Sequence, residues 1–138
     1  MSVRAVFDPN VVISAALSPS GAPAQVLLAW LEGRFESIAS PQLVEELTSA
    51  LAYPKLQKRI RQEDAEALVC LVARGSVVRE DVGDRPRLSP DPGDDYLLSL
   101  ARESEAVLVT GDSDLLSLAP GLPVFTPGKF RGWLESQP

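Results

Sequence analysis

The chain contains no histidine. That absence removes imidazole acid–base chemistry, Ser-His-Asp and Cys-His nucleophile systems, and ordinary zinc sites. There is one cysteine, Cys70, so an internal disulfide is excluded. Cys70 stands in "EALVCLVA" and is expected to pack as a small buried hydrophobe. No run approaches the roughly 20 apolar residues of a membrane span. Arg4 is followed by only a short apolar run, which Asp8 interrupts, so the N-terminus lacks a signal-peptide layout. A cytoplasmic location without membrane contact is therefore expected. Basic charge is also in deficit: 13 Lys and Arg face 19 Asp and Glu, a formal net charge of −6. A basic nucleic-acid-binding surface is not the bulk signature. Net charge misleads, however, when several acids gather in one site to hold cations.

What remains is 138 residues, 45% of them hydrophobic. That suits one folded domain over residues 1–138. The short apolar runs "VRAVF" and "AVLVT" read as buried strands, and "FESIA", "SVVRE" and "PVFTP" as further strands. Between them lie helical segments. "AQVLLAWLEG" follows Pro23 and stops at Gly33. "SPQLVEELTSALA" has Ser40 as N-cap and Pro41 at its first position. "QEDAEALVCLVARG" closes at Gly75, and "DDYLLSLARESE" starts with acids that complement its dipole. "GDSDLLSLAP" reads as a turn and short helix, and "GKFRGWLES" as a terminal helix. Residues 80 to 95 are rich in Pro, Gly, Asp and Arg and read as a loop. Strands alternating with helices imply an α/β layer structure around a mostly parallel central sheet.

In such sheets, sites form beyond the carboxyl ends of the strands. Asp8 ends the first strand. Asp112 follows "AVLVT" with Asp114 two residues on, and Asp94 and Asp95 open a helix. Glu46 lies mid-helix beside Leu43 and Leu47, at the border of the buried stripe, while Glu45 points further toward solvent. Each acid alone also reads as ordinary chemistry: a strand-ending turn at Asp8, a cap at Asp94, a turn at "GDSD", a solvated Glu46. Gathered together they need a reason. Two carboxylates about 5 Å apart repel by roughly 3 kcal/mol at an effective dielectric near 20. A divalent cation neutralises them economically, and oxygen-only ligands suit Mg²⁺ or Mn²⁺.

"FDPNVVISA", "SPQLVEEL", "DPGDDYLLSLA" and "LVTGDSDLL", in this order and spacing, resemble the PIN-domain ribonucleases. The closer likeness is to the bacterial and archaeal branch of VapC-like toxins from toxin–antitoxin pairs. The tail "PVFTPGKFRGWL" fits as well, so the resemblance covers essentially the whole chain. It implies a three-layer fold with a central, mostly parallel sheet flanked by helices. It further implies a Mg²⁺- or Mn²⁺-dependent endoribonuclease site on Asp8, Glu46, Asp94 and Asp112. Leu97 and Ala101 complete the helical frame that begins at Asp94. Asn10, Thr110 and Asp114 match polar positions that support the site. Asp95 competes with Asp94, since a one-residue shift exchanges them; Asp91 is a weaker candidate. Two departures stand out. Pro9 replaces the usual threonine or serine, and Gly93 stands where an acid is common.

RNA phosphates would need cations, and the candidates are Arg79, Arg85, Arg87, Lys55, Lys58, Arg59 and Arg61; a solvated charged face is the alternative. Leu27, Leu28, Trp30 and Leu31 read as core, or as a dimer seam. The family commonly forms homodimers and binds a small antitoxin. Two other functional readings stand beside the nuclease. One is a non-catalytic PIN-like metal or RNA binder. The other is a haloacid-dehalogenase-like phosphatase, which wants a second aspartate where Asn10 stands.

Overall fold

The computed structural model describes residues 3–81, 93, 95–119 and 121–137. Arg85, Arg87, Asp91 and Asp94, with most of the 80–95 loop reading, lie outside them. The strands are β1 (Arg4–Phe7), β2 (Glu36–Ala39), β3 (Val77–Val78), β4 (Val107–Val109) and β5 (Val124–Phe125). They form one parallel sheet in the order β3-β2-β1-β4-β5. The helices are α1 (Pro9–Leu17), α2 (Ala22–Leu31), α3 (Pro41–Leu51), α4 (Pro54–Gln57), α5 (Gln62–Gly75), α6 (Asp95–Glu103), α7 (Ser113–Leu116) and α8 (Pro127–Glu135).

The order has a consequence for function. From β1 the chain winds to β2 and β3 on one side, then returns to β4 on the other. Right-handed crossovers running in opposite directions put their helices on opposite faces, which gives three layers. The reversal falls between β1 and β4. Ligands of open parallel sheets bind at that switch point, outside the carboxyl ends. Asp8 follows β1 there, and Asp112 follows β4.

Burial explains the strands. Ala5, Val6 and Phe7 are all buried, without alternation, because helices cover both faces of a parallel sheet. An aromatic chain ties β1 to α8: Phe7 meets Phe35 at 5.8 Å between centroids, and Phe35 meets Phe130 edge-on at 5.1 Å. Burying each such side chain contributes about 1.5–3 kcal/mol.

Several local signals act as read. Ser40 caps α3 by accepting from the Leu43 N–H at 3.2 Å, with Pro41 at the first position. Gly33, at φ 80°, ends α2: its N–H reaches the Trp30 carbonyl, and the Arg34 N–H reaches that of Ala29. Gly75 is needed for space, because a Cβ there would stand 3.0 Å from the Trp30 ring.

Other expectations are corrected. Cys70 is exposed, not buried. The fully buried residue of α5 is Val72, and Cys70, two residues earlier, lies about 200° around the axis from it. Leu27 and Trp30 are core, whereas Leu28 and Leu31 are exposed. Residues 9–17, which the pattern left unassigned, form α1. Pro9 occupies its first position with Asp8 as N-cap, so the missing proline N–H costs no helical hydrogen bond.

Candidate active site

Asp8 owes its position to two elements at once. Its backbone N–H donates to the Val109 carbonyl at 2.9 Å, locking the end of β1 to β4. Its side chain then caps α1: Oδ1 accepts from the Asn10 N–H at 2.9 Å. Oδ2 accepts from the Thr110 hydroxyl at 2.8 Å. That hydroxyl also accepts from the Asp112 N–H at 3.0 Å. Thr110 is fully buried and so connects the two aspartates through one oxygen. Asp112 in turn caps α7, accepting from the Asp114 N–H at 2.8 Å. Burial pushes the Asp8 carboxyl above its usual range. The hydrogen bonds from Asn10 and Thr110 oppose the rise, and the Asp112 charge adds to it.

Across the cleft, α3 supplies Glu46. Leu43, Leu47 and Leu51 form the buried stripe of that helix, and Glu46, at its border, is exposed. Its Oε2 accepts from the Tyr96 hydroxyl at 2.5 Å. Tyr96 is buried, on the first turn of α6. Burial raises its phenol far above the ordinary tyrosine range; the bond to Glu46 and the charges of Glu46, Asp8 and Asp81 add to this. The phenol therefore stays protonated and donates. Asp81, beyond β3, accepts from the Gln42 N–H at 2.9 Å through Oδ2. Its Oδ1 is buried and has no partner among the described residues.

Asp8, Glu46, Asp81 and Asp112 line one cleft of about 750 Å³. Its charged lining comprises Asp8, Glu45, Glu46, Asp81 and Asp112, with no Lys or Arg among the described residues. The donor chemistry fits a hard divalent cation. Each Asp8 oxygen accepts one hydrogen bond and keeps a second lone pair. Among the described residues no three acids converge on a single point.

Sequence-expected residues divide accordingly. Asp8, Asn10, Glu46 and Asp112 line the cleft, and Thr110 lies directly behind Asp8. Asp114 is exposed and meets Asp112 only through its backbone. Asp95 is buried at the start of α6 and does not line the cleft. Leu97 and Ala101 are buried on that helix. Arg79, Lys55, Lys58, Arg59 and Arg61 are exposed and lie outside the cleft lining. Arg61 pairs with Glu63 at 2.6 Å, on the open surface.

Residues 4–114 match a family described as PIN domain. The chain belongs to the PIN-domain family. This PIN domain is 33% identical over 119 residues to the uncharacterized protein MJ1680 of Methanocaldococcus jannaschii, covering 86% of this chain and 76% of that one. Among solved structures it resembles PAE2754 from Pyrobaculum aerophilum, with TM-score 0.67, 20% identity, and 98% and 91% of the two chains covered. It also resembles VapBC2 from Rickettsia felis, bound to a DNA fragment from their promoter: TM-score 0.60, 13% identity, coverage 88% and 97%. FitAcB from Neisseria gonorrhoeae gives TM-score 0.55 at 20% identity, covering 90% and 98%. At these identities the structural likenesses speak to the fold. The PIN match leaves the phosphatase reading without support.

Asp81 and Tyr53, which line the cleft, and Tyr96, which bonds Glu46, are not singled out by the sequence reading. Asp81 obeys the rule that selects Asp8 and Asp112, because it follows a strand, but it stands in the Pro/Gly-rich run 80–95 that reads as a loop. Tyr96 and Tyr53 carry no charge, and a search for carboxylates passes over them.

Proposed function

We propose that this PIN domain is a metal-dependent endoribonuclease and the toxin of a toxin–antitoxin pair, acting in the cytoplasm as one domain over the whole chain. The observation that carries the reading is the Asp8–Thr110–Asp112 arrangement at the β1/β4 switch point, opening into a cleft whose charged lining is acidic. Asp8, Glu46, Asp94 and Asp112 would hold one or two Mg²⁺ or Mn²⁺. When bound, the cation supplies an activated water and stabilises the leaving oxygen of the phosphodiester.

The protein's own part is positioning. Thr110 fixes the Asp8 carboxylate and the Asp112 backbone with one hydroxyl, so neither can rotate freely. Tyr96 holds one oxygen of Glu46 and leaves the other for the cation. No protein nucleophile is required, which agrees with the absence of histidine. The likeness to VapBC2 and FitAcB supports a small protein antitoxin as partner. Exposed Leu28 and Leu31 on α2 are candidates for the homodimer seam.

The test is cleavage of single-stranded RNA with Mn²⁺ or Mg²⁺, by wild type and by Asp8→Asn. Cleavage by the first and not the second is expected. Equal activity in both would sink the assignment. Mn²⁺ binding without turnover on several RNAs would favour the non-catalytic binder.

A further inference from the structure

An acidic cleft attracts a cation but repels the rest of a nucleic acid strand, so the substrate needs anchors beside it. The described structure exposes five large apolar side chains: Leu28, Leu31, Tyr53, Val77 and Val78. Of these, Tyr53 alone lines the cleft. The residue is 66% exposed, and its ring meets no other aromatic ring among the described residues.

The backbone beneath that ring is firmly held. The Tyr53 N–H donates to the Ala50 carbonyl at 3.2 Å. Its own carbonyl accepts from Leu56 and Gln57 at 2.9 and 3.0 Å. The ring is thus an apolar plate on a fixed mount at the rim of the cleft. Lys55, Lys58 and Arg59 follow directly, all exposed and without an ion-pair partner among the described residues. A flat apolar face next to unpaired cations complements a base and its flanking phosphates. Bases inside a duplex are not available to such a face.

Resting on the nuclease reading above, we propose that Tyr53 is a stacking platform for one base of single-stranded RNA beside the scissile phosphate. Lys55, Lys58 and Arg59 hold the adjoining phosphates. This restricts the substrate to unpaired RNA and assigns the ring a ligand class.

Binding is measured by fluorescence anisotropy in an Asp8→Asn background, which prevents cutting. The probes are a labelled RNA of about eight nucleotides, within the span such sites cover, an abasic strand of equal length, and the matching duplex. Adding Tyr53→Ala is expected to weaken the base-bearing strand about fivefold or more and to leave the abasic strand unchanged. Tyr53→Phe should bind like the parent, since the ring is kept. Tyr53 is exposed, so all variants should melt like the parent. Unchanged binding by Tyr53→Ala overturns the proposal. So does equal weakening of the base-bearing and abasic strands, a duplex bound as tightly as the single strand, or a parent that binds no single strand. Failure of the nuclease reading shows separately, as absence of cleavage by the wild-type chain.

Discussion

The two sides of the cleft hold their acids in opposite ways. On the sheet side Asp8 is buried, capped by the Asn10 N–H and bonded to Thr110, which also grips the Asp112 backbone. On the helix side Glu46 is exposed, and it accepts a hydrogen bond from the Tyr96 hydroxyl. The sheet side accepts an electrostatic penalty in exchange for rigidity, because burial disfavours the ionised Asp8. The helix side avoids that penalty and leaves its carboxylate adjustable. A cation between them would be seated by the first side and clasped by the second.

The contrast can be broken one residue at a time. Asp8→Asn is expected to have the largest effect, because it removes the charge proposed to hold the cation. Cleavage should fall by more than the roughly 10–100-fold that supporting partners typically cost. Thr110→Val comes next, since one hydroxyl serves both aspartates. Mn²⁺ affinity, read by titration calorimetry, should drop about 10–100-fold. Tyr96→Phe removes one bond to a solvated carboxylate, and a loss near the bottom of that range, about 10-fold, is expected. Should Tyr96→Phe cost more than Thr110→Val, the rigid and adjustable sides would have to be exchanged.

The smallest effect concerns stability without cation. Asp8 has a folded-state pKa above its ordinary 3.8, so the folded chain binds its proton more tightly than the unfolded chain. Its contribution to stability is then fully present at low pH and is lost as pH rises through the folded value. At neutral pH, cation-free Asp8→Asn should melt above wild type. The gap should close as pH falls toward 3.8. A melting scan across pH in chelator checks this, and a gap that widens on acidification would contradict the burial account.

Much of the fold was legible because its elements carry local punctuation. Ser40-Pro41 opens α3, Gly33 ends α2, and apolar runs of parallel-strand type mark β1 and β4. Helix α1 was not legible. Val11, Val12, Ile13 and Ala15 are all buried, so its apolar residues surround the axis and no 3.6-residue stripe appears. Asp8-Pro9 looked like a turn for the same reason that it is a helix start: both use a capping carboxylate and a fixed φ. Cys70 is exposed despite its apolar neighbours in sequence, because adjacent residues on a helix face different ways. In the cleft, Asp8 and Asp112 followed from strand ends alone. The Thr110 bond, the Tyr96 phenol and Asp81 depend on chain segments that only the tertiary fold brings together.

The central claim is that the Asp8–Asp112 pair at the β1/β4 switch point seats a divalent cation. Anomalous diffraction from crystals soaked in Mn²⁺ tests it most directly. A peak in contact with the Asp8 and Asp112 carboxylates is expected, and it should disappear in Asp8→Asn crystals soaked alike. A peak confined to other acids, or one that persists in Asp8→Asn, would contradict the account.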